Sequence, residues 1–260
     1  MCLPLPALVR PFLVGVVVAA LSGCSGGSAT DPSTDAAKGE GDTAAYDNAD
    51  VIAEMTDAVA EQDSVRLTLG TRQSPEDLTI DTTWGSEPAF RALTGGDPAQ
   101  RLDIRRVGDR VYLGGELVGH QWTYLEVDDP RLTDPDSGFD AGPVPTLLDI
   151  DVVGDLEALE SAVTEAEADG SEEIDGVESE HYTLTVDSRA WFDGLSEDSM
   201  YRAMDLPETV TMDLYVDDDS LPVRLAYEVP GQAGASAQIG FSAWGTPVEV
   251  AEPRRAKPVS

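Results

Sequence analysis

Residues 47–69 read DNADVIAEMTDAVAEQDSVRLTL, and the period of the apolar side chains changes partway along this stretch. In its first part the apolar residues recur at the spacing of one helical face, at Val51, Ile52, Met55 and Val59. This spacing predicts an amphipathic helix over residues 47–61. From Ser64 the period becomes two, which is typical of a strand with one buried face. Because the apolar stripe of the helix needs a partner surface, this stretch indicates a mixed α+β fold.

The same alternation continues towards residue 127 with short turns between its segments. It predicts four further strands, around residues 78–82, 102–104, 111–113 and 123–127. Five strands joined in this way are expected to form an antiparallel meander.

The second half of the chain alternates between helical and extended patterns. A surface loop over residues 129–145 is followed by one or two short helices within residues 146–163. A hairpin comes next, with its first strand predicted over residues 163–169 or 171–174 and its second over residues 181–187. Residues 188–204 are predicted to be helical, and period two returns between residues 210 and 241. The predicted order is therefore sheet, inserted helices, sheet.

The charge of the chain excludes several classes of protein. The 260 residues carry 50 acidic and 16 basic side chains, a formal net charge of -34, which argues against nucleic acid as a partner. The two cysteines, Cys2 and Cys24, both precede the folded part, so neither a disulfide framework nor a thiolate zinc site is expected there. With His120 and His181 as the two histidines, a histidine-rich metal cluster is not expected either.

The N-terminus carries a targeting signal. Residues 11–21 (PFLVGVVVAAL) have the length of a signal-peptide hydrophobic region and are too few to span a bilayer. The sequence Leu21-Ser22-Gly23-Cys24 that follows resembles the lipobox of bacterial lipoproteins. This resemblance implies a signal peptide at residues 1–23, acylation of Cys24, and anchoring at the extracytoplasmic face of the cell membrane. The alternative is an ordinary secretory signal with a coincidental cysteine.

A flexible segment follows the cysteine. Residues 24–45 contain no large apolar side chain, so they cannot form a core and are expected to be a tether with a reach of roughly 25 Å. Residues 46–252 are then one domain, and residues 253–260 are a C-terminal tail. Acyl chains must provide the membrane anchoring, because a strongly acidic protein is repelled by anionic lipids.

Six stretches in order resemble actinobacterial lipoproteins of the LppX and LprG type, which share the fold of the lipoprotein carrier LolA. They are residues 58–69 (AVAEQDSVRLTL), 107–113 (VGDRVYL), 121–125 (QWTYL), 174–182 (IDGVESEHY), 221–224 (LPVR) and 241–248 (FSAWGTPV). The resemblance implies a strongly curved antiparallel half-barrel with helices over its concave face. In such proteins the cavity between sheet and helices holds acyl chains of lipids, lipoglycans or acylated proteins.

Ten apolar residues from alternate strand positions are predicted to line such a cavity: Val65, Leu67, Leu69, Leu102, Ile104, Val111, Leu113, Met212, Leu214 and Leu225. The alternative is that the same residues form a filled core. The two interpretations lead to different functions, namely a lipid-binding or lipid-transfer lipoprotein, or a surface lipoprotein that acts as a sensor or interaction module without cargo.

Other candidate sites are weaker. The acidic loop from Asp134 to Asp140 departs from the EF-hand pattern and is interpreted as a solvated loop. His181 is expected to be an exposed strand residue, and no nucleotide-binding or metalloprotease motif is present in the sequence. We therefore expect a monomer with no cofactor, no metal and no enzymatic activity, whose partners are the membrane and a lipid or lipoglycan.

Overall fold

The computed structural model describes residues 48–71, 76–116, 118–119, 121–139, 141–197, 199–203, 206–228 and 236–259. The helices are α1 (Asn48–Ala60), α2 (Val144–Leu148), α3 (Val152–Ala162) and α4 (Ser188–Gly194). The strands are β1 (Ser64–Gly70), β2 (Leu78–Thr83), β3 (Ala89–Thr94), β4 (Asp103–Val107), β5 (Arg110–Gly114), β6 (Thr123–Glu126), β7 (Val163–Ile174), β8 (Val177–Asp187), β9 (Thr209–Val216), β10 (Pro222–Glu228), β11 (Ser236–Ser242) and β12 (Lys257–Pro258). Short 3-10 segments lie at Pro98–Gln100, Pro130–Leu132, Pro135–Ser137 and Met200–Ala203.

All of these strands belong to one sheet, in the order β12-β6-β5-β4-β3-β2-β1-β11-β10-β9-β8-β7. Neighbouring strands are antiparallel except β12 and β6, which are parallel. The sheet is open and curled, and few helices accompany it. The predicted α+β class with a large antiparallel sheet is thus confirmed.

The pairing of β1 with β11 joins the two halves of the sheet. Leu67 lies opposite Phe241, and Leu69 lies opposite Ile239. Between these pairs Thr68 lies opposite Gly240, where a Cβ atom would collide with Oγ1 of the threonine. The glycine therefore permits close approach at the centre of this pairing.

Helix α1 confirms the prediction for residues 47–61. Ile52, Met55 and Val59 are buried, and the helix packs against α3 and β7. Thr56 is the buried polar residue of this face, and its hydroxyl donates a hydrogen bond of 2.8 Å to the carbonyl of Ile52. The apolar stripe thus has the partner surface that the sequence pattern required.

The structure differs from the sequence prediction in four places. Strand β3 was not predicted. Two of its residues face the core, and only Phe90 is large, whereas Ala92 is small. Strand β7 is longer than predicted and is mostly exposed, so its acidic residues hide the strand pattern and keep an edge strand soluble. The helix predicted over residues 188–204 is interrupted after Gly194, and Lys257–Pro258 of the predicted tail pair with β6.

Strand β9 allows the register of the core to be tested. Met212 is fully buried, whereas its neighbour Thr211 is exposed. We expect Met212→Ala to lower the free energy of unfolding by roughly 2 to 5 kcal/mol, because it removes buried apolar contacts and leaves a cavity. Thr211→Ala should cost less than about 1 kcal/mol. Urea denaturation of both variants tests this, and equal losses would contradict the register described here.

Candidate functional site

An apolar cavity of about 40 Å³ lies between the sheet and the helical segments. The sheet contributes five side chains to its wall: Leu67, Leu69, Leu225, Ile239 and Phe241. The helical segments and their connections contribute the others: Thr146, Asp149, Ile150, Val152, Asp155, Leu156, Leu159, Trp191, Ser199 and Tyr201. We call this space the sheet–helix cavity.

The sheet wall follows from the strand register. Leu69 of β1, Ile239 of β11 and Leu225 of β10 lie directly opposite one another across three neighbouring strands. Residues in such a row project from the same face of the sheet. The β1–β11 pairing therefore creates the sheet side of the cavity as well as joining the two halves of the fold.

Helix α3 supplies more residues to the helical wall than any other element does. Its residues 152, 155, 156 and 159 have the spacing of one helical face, and all four line the cavity. Asp151 caps the helix, because its Oδ1 accepts a hydrogen bond of 3.0 Å from the backbone N–H of Gly154. In α4, which packs on α3, Trp191 lines the cavity with its ring centroid 5.1 Å from that of Tyr201.

Five polar side chains interrupt the apolar wall: Thr146, Asp149, Asp155, Ser199 and Tyr201. The pKa is raised for two of them, Asp155 and Tyr201. Burial raises the pKa of Asp155 to about 7, and the negative charges of Asp151 and Asp149 add to this effect. Burial also raises the pKa of the Tyr201 phenol well above its usual value, with a further contribution from Asp155. Within the described part of the chain, no side chain forms an ion pair with Asp155, and Nε1 of Trp191 has no hydrogen-bond partner.

The ten residues predicted to line a lipid cavity lie in three different environments. Leu67, Leu69 and Leu225 line the sheet–helix cavity. Five others are buried in the core: Val65, Ile104, Val111, Met212 and Leu214. Leu102 and Leu113 are half-buried against that core. The structure thus brings three of the ten to this cavity, and contact of any of them with lipid remains a prediction. Cys24 lies outside the described residues.

The sequence interpretation missed the helical wall. The spacing of Val152, Asp155, Leu156 and Leu159 was a usable signal, but an acidic residue at a face position weakens the apolar pattern. Ile239 and Phe241 were recognised as strand residues without being assigned to the cavity. Their position in the cavity wall follows from the pairing of β11 with β1, which the alternation alone does not reveal.

A second cavity, of about 180 Å³, lies beside the first. Strands β2 to β4 and the β2–β3 connection supply one side: Thr82, Thr83, Trp84, Pro88, Ala89, Phe90 and Arg106. Helix α2, the start of α3 and the connection between them supply the other: Leu147, Leu148, Ile150, Asp151, Val152 and Val153. Ile150 and Val152 line both cavities, so the two spaces share a wall.

The remaining candidate sites have structural roles. His181 is half-buried rather than exposed, because its ring stacks on Tyr215 and its Nε2 lies 3.1 Å from Oδ1 of Asp213. In the acidic loop, Asp134 caps a 3-10 segment by accepting a hydrogen bond of 2.8 Å from the N–H of Asp136. Among the described residues, no group of three or more His, Cys, Asp and Glu side chains is arranged to hold a metal ion.

None of the helices within the described residues is long and apolar enough to cross a bilayer.

No protein-family model matches the sequence, and no curated protein matches it. Among solved structures, LprF from Mycobacterium bovis has a TM-score of 0.52 at 15% identity, over 79% of this chain and 96% of LprF. The Mycobacterium tuberculosis lipoprotein LppX has a TM-score of 0.47 at 17% identity, over 77% of this chain and 98% of LppX. A LolA superfamily protein from Nitrosomonas europaea has a TM-score of 0.27 at 11% identity, over 75% of this chain and 90% of that protein.

At this level of identity the likeness to LprF concerns the fold alone, and the fold assignment rests on it. The chain has the fold of LprF, which agrees with the fold that the resemblance in the sequence implied.

Proposed function

We propose that this protein is a membrane-anchored extracytoplasmic lipoprotein that binds or transfers a lipid or another acylated ligand between its sheet and its helices. The observation that carries the proposal is the sheet–helix cavity, whose wall combines the Leu69–Ile239–Leu225 row of the sheet with one face of α3. In this proposal α2, α3 and α4 cover the concave face of the curved sheet. An acyl chain held there gains about 0.8 kcal/mol for each CH₂ group removed from water.

The cavity must widen to hold an acyl chain. Its volume of about 40 Å³ is well below the roughly 300 to 1,000 Å³ of pockets that enclose small-molecule ligands. Within the described residues, no hydrogen bond links α3 to β1, β10 or β11. Moving α3 away from these strands would therefore break no hydrogen bond between them. It would expose apolar side chains, which an incoming acyl chain would cover again.

The anchor in this proposal is the acylated Cys24. A diacylglyceryl group provides at least two chains, which is sufficient for stable attachment, whereas one chain gives marginal binding. The tether of residues 24–45 would keep the folded part close to the membrane. No catalytic step is part of this function, because acyl-chain burial alone drives binding.

The small volume of the sheet–helix cavity favours a second function. A protein whose sheet and helices stay closed would be a surface lipoprotein that acts as a sensor or interaction module, with its acidic exterior as the recognition surface. The two functions differ in whether lipid copurifies with the protein and whether filling the cavity lowers the amount of bound lipid.

Leu69 and Leu113 form a matched pair for this test, because both are half-buried strand leucines and only Leu69 lines the sheet–helix cavity. We expect Leu69→Trp to lower lipid occupancy to about a tenth, equivalent to roughly 1.4 kcal/mol of binding free energy. Leu113→Trp should leave occupancy unchanged, although overpacking costs each variant about 1 to 3 kcal/mol of stability. Mass spectrometry of bound lipid and thermal melts separate the two effects. Equal occupancy in the two variants would argue against this cavity as the binding site.

Membrane attachment is tested at Cys24. Cys24→Ala should release the protein from the membrane without changing its melting temperature, because the acyl chains provide the attachment and residues 24–45 carry no large apolar side chain. Detergent-phase partitioning measures this. A variant that stays in the detergent phase would show that another element binds the membrane.

Asp155 predicts a pH dependence of stability. Its pKa is raised to about 7 in the folded protein, so the folded state holds this proton more tightly than the unfolded state does. Stability contributed by the protonated form is therefore complete below about pH 4 and is lost as the pH rises through 7, by up to about 4 kcal/mol. Asp155→Asn should remove this loss.

The control for Asp155 is Glu157→Gln, which removes an exposed charge from the same helix. Chemical denaturation at pH 5 and pH 8 compares both variants with the wild type. If the stability of Asp155→Asn and of Glu157→Gln changed with pH in the same way, Asp155 would not be the acid with the raised pKa.

A further inference from the structure

Arg106 occupies a position in β4 that the strand pattern assigns to an apolar residue. It follows Ile104 on the same face, and Ile104 is almost completely buried. Its partners across the sheet are Phe90 in β3 and Val111 in β5, both of which are buried. A guanidinium therefore projects from the core face between two apolar neighbours.

Among the residues that the structure describes, no hydrogen bond or ion pair of this guanidinium is found. Its Nε is buried without a hydrogen-bond acceptor, and no ion pair of Arg106 is found within the described residues. The adjacent Arg105 behaves differently, since it shares Asp103 with Arg91 at 2.9 and 2.8 Å on the other face of the sheet. The chain has 50 acidic residues, so a shortage of carboxylates does not explain why this half-buried arginine is not paired with one. Leaving a charge unpaired in such surroundings destabilises the fold.

Arg106 lines the second cavity, of about 180 Å³. Phe90, Trp84 and Leu147 make much of the wall apolar, which strengthens electrostatic interactions inside. The first residues of α3, Val152 and Val153, line the cavity as well, and the N–H groups of a first helical turn are not used by the helix itself. Asp151 is the acidic residue of this wall, and its carboxylate accepts the N–H of Gly154.

We propose that Arg106 binds a phosphate-type oxyanion in the second cavity, and that this oxyanion is the headgroup of the lipid whose acyl chain lies in the sheet–helix cavity. A guanidinium matches the geometry of phosphate and carboxylate groups with two parallel hydrogen bonds. The shared wall at Ile150 and Val152 places the headgroup next to the chain. The headgroup part of this proposal rests on the proposed function, whereas the oxyanion site does not.

Two lipids with the same chains provide the test. The full chain, produced without acylation, is incubated at 150 mM salt with phosphatidylcholine vesicles that contain either dioleoyl phosphatidic acid or dioleoylglycerol, and the retained lipid is measured by mass spectrometry. Binding of inorganic phosphate is measured separately by calorimetry. The wild type should prefer phosphatidic acid by at least about tenfold, as expected for charge-assisted hydrogen bonds.

The variants distinguish the effect of the Arg106 charge on binding from its effect on stability. Arg106→Met should abolish the preference while raising the melting temperature, because it replaces an unpaired charge by an apolar side chain of similar length. Arg106→Lys should keep part of the preference. Asp151→Asn, which keeps a good N-cap residue and removes the negative charge, should increase the preference. Arg101→Gln is the control at an exposed arginine outside the cavity and should change nothing.

The outcomes distinguish the two parts of the proposal. Equal retention of both lipids together with no phosphate binding would overturn the oxyanion site and leave the proposed lipid function standing. Phosphate binding that depends on Arg106 without any retained lipid would uphold the site and overturn its assignment to a lipid headgroup. A lower melting temperature of Arg106→Met with unchanged anion binding would show that the arginine has a structural role instead.

Discussion

The antiparallel pairing of β1 with β11 is the interaction on which the rest of the structure depends. It joins strands that are about 170 residues apart in the sequence and makes one sheet from the N-terminal meander and the C-terminal strands. The same register places Leu69 opposite Ile239, and Ile239 opposite Leu225, so that the cavity wall is a direct product of the pairing. A shift by one residue would turn these side chains to the other face of the sheet. The fold and the sheet–helix cavity therefore depend on one register.

The packing of α3 against the sheet is less favourable than a fully apolar contact would be. An entirely apolar α3 face would pack more favourably than the observed one, in which Asp155 faces the cavity and the pKa of its carboxyl is raised by burial. Arg106 has the corresponding position on the sheet side of the second cavity. Both residues weaken the closed arrangement and lie where sheet and helices meet. Polar groups that break the local apolar pattern are expected at functional sites, and the proposed function requires that the helices can separate from the sheet.

Much of the fold could be predicted from the sequence because most strands have one buried face. The change of period at Ser64 located the boundary between α1 and β1 to within a few residues. Strand β3 and the full length of β7 were missed, because a small core residue in one and exposed acidic residues in the other remove the alternation. These failures reflect local composition rather than topology.

The site was harder to predict than the fold. Alternation identifies which strand residues face inward, but it does not distinguish residues in a filled core, such as Met212, from residues beside a cavity, such as Leu69. That distinction depends on where α3 lies, which is set by long-range packing. Arg106 could have been noticed as the residue that breaks the run of Leu102 and Ile104, although its lack of a partner is visible only in three dimensions.

The central claim is that the space between sheet and α3 opens to hold an acyl chain. Native mass spectrometry of the non-acylated full chain, followed by organic extraction and identification of the released molecules, tests it most directly. We expect a population whose added mass equals that of one lipid and disappears on extraction. A single unliganded mass under conditions that preserve noncovalent complexes, with no lipid in the extract, would contradict it.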